Sequence, residues 1–88
     1  MKTQTASPDR LTAEERRALP DEAFGIPSRR EFPLVDAAHV RAAESDFRHA
    51  PDADKPALAR RILHQAAEFG VEIGSETILR WAAQTTKR

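Results

Sequence analysis

The 88-residue chain contains no cysteine, which excludes disulfides and thiolate metal sites and is compatible with a reducing cytoplasm. It also lacks long hydrophobic runs. No stretch approaches the roughly 18 apolar residues that a bilayer span requires, and residues 1–10 (MKTQTASPDR) have no apolar signal-peptide core. A cytoplasmic, non-membrane protein is the expectation. The three glycines are too scattered to form a phosphate-binding loop. Neither charge sign is in excess, with 14 basic and 14 acidic side chains, whereas nucleic-acid binders usually carry a basic surplus. Large apolar residues are scarce too: leucine, isoleucine, valine and phenylalanine together number 17 of 88, near the composition at which chains stay disordered.

What apolar residues there are come in three clusters, Phe24 to Leu34, Val40 to Phe47 and Leu58 to Trp81. A net charge of zero removes the self-repulsion that expands disordered chains. A chain of this length holds one core, and a small one, so modest stability is expected. Charge is unevenly spread. Residues 36–54 carry two basic and five acidic side chains, and residues 55–88 carry six basic and three acidic. That division either makes a bipolar surface that steers a charged partner or offsets itself where the two segments pack side by side.

Residues 1–10 read as a disordered polar tail, followed by one helical domain over 11–88. Thr12 and Glu15 match a capping box, and Pro20 stops that helix near Leu19. Residues 20–35 hold three of the six prolines and five large apolar residues (Phe24, Ile26, Phe32, Leu34, Val35), which marks an ordered strap and not a solvated linker. Asp36 is placed to cap a helix over 37–49 whose buried face is Val40, Ala43 and Phe47. Pro56 suits the first turn of a helix over 55–69, with Leu58, Ile62, Ala66 and Phe69 as its stripe and Gly70 closing it. Val71-Glu72-Ile73 alternates and could pair with residues 32–35 as a short two-stranded β unit. Ser75 then caps a helix over 76–85 with Ile78, Leu79, Trp81 and Ala82 as its apolar side. The expected fold is mainly α, a small three-helix bundle with a short N-terminal helix and a Phe/Pro-rich strap.

Chemistry-bearing residues form no recognisable constellation. His39, His49 and His64 lie 10 and 15 residues apart, not at the i, i+4 spacing of helical metal ligands, so no metal or other cofactor is expected. Ser28, Ser45 and Ser75 read as loop, surface or cap positions, without the base and orienting group a nucleophile needs. No catalytic residue is assigned, and the chain is read as a non-enzyme. Arg29 and Arg30, held in the apolar strap, could clamp an acidic peptide or phosphate; solvation, or pairing with Glu31 and nearby carboxylates, explains them more simply. Trp81, flanked by Ile78, Leu79 and Ala82, reads as a core residue more readily than as an exposed interface anchor.

Residues 57–85 resemble a bacterial helix-turn-helix. Gly70 would end one helix and Ser75 cap the next, with Arg60, Arg61, Arg80 and Lys87 as DNA contacts. The connection exceeds the 3–4-residue turn of that motif, and zero net charge weighs against it.

A second resemblance covers residues 19–69. The run LPDEAFGIPSRREFPLVD from Leu19 to Asp36, followed by Ala38-His39-Val40-Arg41-Ala42, resembles a short domain of unknown function associated with tailed-phage and prophage proteins. Its pattern is Leu-Pro, Phe, Pro, Arg, Phe-Pro, then Asp, His and Arg in that order; the C-terminal helix with Trp81 is less typical. The resemblance implies no activity, but it implies that Arg30, Phe32, Pro33, Asp36, His39 and Arg41 act together. A structural lock explains them: Asp36 caps the helix, His39 and Arg41 lie in its first turns, and the strap packs beside them. The function expected is protein–protein interaction or a structural accessory role, with a protein partner; DNA binding through residues 57–85 is the alternative.

Overall fold

The structure, a computed structural model, describes residues 11–84; the tail expected at 1–10, and Lys87, lie outside them. The described residues form four helices and one two-stranded sheet, in the order α1 (Ala13–Ala18), β1 (Phe24–Ile26), β2 (Glu31–Pro33), α2 (Ala37–Asp46), α3 (Lys55–Phe69) and α4 (Glu76–Ala83), with short 3₁₀ turns between them. No helix among them is long and apolar enough to cross a membrane.

Three of the four helices, α1, α2 and α4, begin where a side chain satisfies an otherwise orphaned amide. At α1, the Thr12 hydroxyl accepts from the Glu15 N–H while the Glu15 carboxylate accepts from the Thr12 N–H, at 3.0 and 2.9 Å. Asp36 accepts from His39 N–H at 2.8 Å to start α2, and Ser75 accepts from Ile78 N–H at 3.2 Å to start α4. Pro56 occupies the first turn of α3, where its missing N–H leaves nothing unpaired. That helix ends at Gly70, whose φ of +70° turns the chain so that Val71 N–H donates to the Ala66 carbonyl at 2.8 Å. The helix expected over 37–49 is α2 followed by a 3₁₀ turn at Phe47–His49.

The strap is a β-hairpin. Phe24 pairs with Pro33 and Ile26 with Glu31, antiparallel. The pairing therefore lies within the strap, and residues 71–73 form no strand. The physical reason is loop length: four residues connect β1 to β2, whereas an alignment with residues 71–73 has to close a far longer loop. Gly25 makes the hairpin's packing possible. A Cβ there would collide with Leu58 Cδ1 on α3 and lie 3.2 Å from Phe32 Cβ.

α3 is the central element, packed against α2, α4 and β1. Phe24, Val40, Leu58, Ile62 and Ile78 are fully buried, one or two from each of β1, α2, α3 and α4, and each such burial contributes about 1.5–3 kcal/mol. Two expected core positions differ. Phe69, at the last residue of α3, is exposed, and Leu79 on α4 is exposed as well. No element follows α4 in the described residues to cover them. Trp81 is half-buried against the core, with the Lys55 ammonium 5.7 Å from its ring.

Candidate functional site

The six residues expected to act as one lock separate into two. The first centres on Arg30, whose guanidinium donates to the Arg16 and Leu19 carbonyls at 2.7 and 3.0 Å and to the Asp21 carboxylate at 2.6 Å. Those two carbonyls lie at the C-terminal end of α1, where a cation is favoured; the Arg16 carbonyl also accepts from the Leu19 N–H at 3.2 Å. The guanidinium also lies over the Phe24 ring, 4.6 Å from its centroid. Arg16 reciprocates, donating to the Arg30 carbonyl at 2.6 Å from a position 5.3 Å from the same ring. Phe24 is thus flanked by two cations, and α1 is bolted to the hairpin by crossed arginine-to-carbonyl bonds. Arg30 is therefore engaged within the fold, while Arg29 beside it is exposed.

The second part is Asp36 with His39. The Asp36 carboxylate takes both the His39 backbone N–H and, at 2.7 Å, the ring Nδ1. Partial burial alone raises a carboxyl's pKa, but the bonds from the His39 amide and ring and the field of the imidazole outweigh it, so Asp36 titrates below its ordinary value. His39 is buried at 4 % exposure, and its Nε2 has no hydrogen-bond partner. Because a carboxylate only accepts, Nδ1 carries the proton; Nε2 is then an acceptor in the neutral ring and a donor in the protonated one. Arg41 is exposed on α2 and joins neither part.

Between the hairpin and α2 lies a groove of about 560 Å³, within the size range of ligand-binding clefts. Phe32 and Pro33 line it from β2, and Ala42 and Ala43 from α2. Its polar members are Arg16, Glu31, His39, Asp46 and His49. Phe32 enters it from a backbone with φ +62°, the left-handed region that a bulky residue rarely adopts. Phe32, Pro33 and His39 of the expected set therefore do come together here, while Arg30, Asp36 and Arg41 do not line it. Asp46 was not singled out from the sequence, and Glu31 and His49 were weighed there only as an arginine partner and a metal ligand. The signal for Asp46 was there: positions 39, 42, 43 and 46 follow the three-and-four spacing of one helical face.

The arginines of the helix-turn-helix reading are partly engaged elsewhere. Arg60 donates to the Ala82 and Gln84 carbonyls at 3.3 and 3.0 Å, closing the C-terminal end of α4. Arg61 donates to the Glu22 carbonyl at 3.3 Å. Arg80 is exposed and lies 3.8 Å from Glu76 on the same helix. The α3–α4 connection spans residues 70–75, longer than the turn of that motif. Among the described residues no group of three His, Asp or Glu side chains is arranged to hold a metal ion.

Neither a curated protein nor a solved structure shows significant similarity to the chain. A family model matches residues 1–76, taking in the groove, both parts of the lock and α3, and ending as α4 begins. The chain belongs to that family, a family of unknown function (DUF6582).

Proposed function

We propose that this protein is a non-catalytic binding module that engages a protein partner through the groove between β2 and α2. The observation that carries this reading is the groove itself. It joins apolar walls to a buried histidine nitrogen with no partner, on elements held by the crossed arginines and the Asp36 cap. Apolar area with a few placed polar groups is the usual make-up of a recognition surface. Catalysis lacks support from this arrangement. The Asp36–His39 pair has the orienting half of a nucleophilic centre, but no serine or threonine lines the groove beside it. The order of Phe, Pro, Arg, Asp, His and Arg over residues 19–41 supports placing the module among phage- or prophage-associated accessory proteins acting in the cytoplasm.

The alternative, DNA binding by residues 57–85, is supported by the exposed Arg80 and by a second cleft of about 310 Å³ that Arg60, Arg61 and His64 line. The engagement of Arg60 and Arg61 with backbone carbonyls favours the groove reading over it. Capture from a nuclease-treated extract tests the choice, using the wild-type chain and Ala42→Arg, which fills the groove from a half-buried helix position. A partner held by the wild type and lost by Ala42→Arg is expected. A partner that Ala42→Arg retains, or that nuclease removes, would overturn the proposal.

A further inference from the structure

The chemistry of the groove says what kind of side chain it suits, given that it is the interaction face. The donors and acceptors facing it are unbalanced. Arg16 is the one arginine or lysine in its lining, and its guanidinium is already engaged with the Arg30 carbonyl and stacked beside Phe24. Glu31 and Asp46 are exposed carboxylates that form no ion pair among the described residues. His39 is more than nine-tenths buried and has its Nδ1 tied to Asp36, leaving Nε2 unpartnered. An ionised carboxylate offers no proton, and a neutral imidazole tied at Nδ1–H offers a lone pair at Nε2. Glu31 and Asp46 are therefore uncommitted acceptors and make the groove's uncommitted formal charge negative; the neutral form of His39 adds a lone pair at Nε2, and His49, the other imidazole in the lining, can donate or accept. An anionic group entering it meets two carboxylates. A cationic side chain meets two counter-charges and, with His39 neutral, an acceptor at Nε2, and Phe32 and Ala42 provide apolar surface for its aliphatic stem.

We propose that the groove holds an arginine or lysine side chain presented by a partner polypeptide. The occupant is a basic peptide segment with apolar neighbours, attracted by Glu31 and Asp46 and donating a hydrogen bond toward His39 as it seats.

The test is a ¹⁵N–¹H correlation spectrum of the full labelled chain at low salt, titrated with acetyl-Ala-Arg-Leu-Ala-amide. Parallel titrations replace the peptide's arginine with neutral norleucine or with glutamate. The arginine peptide is expected to move the amides of Glu31, Phe32, Ala42, Ala43 and Asp46 together with the His39 ring resonances, progressively less as salt rises. The double variant Glu31→Gln/Asp46→Asn alters only exposed carboxylates, so its spectrum stays dispersed. It should bind the arginine peptide about tenfold more weakly, as expected from losing two solvent-facing charge pairs. Equal binding of the norleucine peptide, or preference for the glutamate peptide, would overturn the cation assignment while leaving the groove as the interaction face. Unmoved groove amides at millimolar arginine peptide would also overturn it. The groove reading itself is decided separately, by the Ala42→Arg capture.

Discussion

Replacing Arg30 isolates the crossed arginine bonds that fasten α1 to the hairpin. Arg30→Ala removes two bonds to carbonyls, at 2.7 and 3.0 Å, each contributing about 1 kcal/mol at a partly solvated site. It also removes the stack on Phe24, about 0.5–1 kcal/mol. The ion pair with Asp21 adds well under 1 kcal/mol, because the partners are 37 % and 69 % exposed and water screens them. The expected loss is about 2–3 kcal/mol, a large share of the stability of so small a domain. Arg30→Lys should lose nearly as much, since an ammonium cannot reproduce the fork that spans three acceptors. Arg30 also sits at φ +52°, a conformation that disfavours any residue with a Cβ. Arg30→Gly makes the same deletion but relieves that cost, so it should be more stable than Arg30→Ala by up to about 1 kcal/mol. Urea unfolding followed by far-ultraviolet circular dichroism, with a constant m-value, measures all three. An alanine variant within about 0.5 kcal/mol of wild type, or one more stable than the glycine variant, would refute the reasoning.

Gly25→Ala puts a Cβ against Leu58 and Phe32 in a core where Leu58 is fully buried and has nowhere to go; a loss of about 1–3 kcal/mol, seen as a lowered Tm, is expected, and an unchanged Tm would contradict this packing. Asp36 titrates below its ordinary value in the folded state, so its ionised form contributes stability that is complete above the unfolded value of about 3.9 and is lost as pH falls through the folded one. Asp36→Asn keeps the cap, so its stability should trail wild type near neutrality and converge with it below about pH 4. A gap that does not change with pH would show that the charge on Asp36 contributes nothing. Arg80→Glu, on the exposed surface of α4, should leave stability within about 0.5 kcal/mol of wild type and leave binding of a groove partner unaltered. Loss of that binding would move the interface to α4.

The helices were legible because their ends are chemically marked. Thr12, Asp36 and Ser75 are residue types that favour the N-cap, and Pro56 and Gly70 each suit only one end of a helix, so the span of α3 follows from composition alone. The hairpin was not. Its strands are three residues each, too short for alternation to register, and Phe32 adopts a backbone conformation no propensity assigns to phenylalanine. The groove was half legible. His39 was visible as a partner of the Asp36 cap because the two are three residues apart. Its unpartnered Nε2, and its meeting with Phe32 and Pro33, depend on how the hairpin closes on α2, which is long-range information. The Arg30 network was half legible too: pairing with a nearby carboxylate was an expectation and Asp21 supplies it, but the α1 carbonyls that Arg30 also bonds are brought to it only by the folded chain.

The binding face is the central claim, and a map of amide perturbations tests it most directly. The labelled protein would be recorded with the captured partner and, separately, with a generic DNA duplex at low salt. Changes confined to Glu31–Pro33 and His39–Asp46 on adding the partner, with no response to DNA, are the outcome expected. Changes at Arg60, Arg61 and 76–84 on adding DNA, reversed as salt rises, would contradict it and transfer the function to the α3–α4 pair.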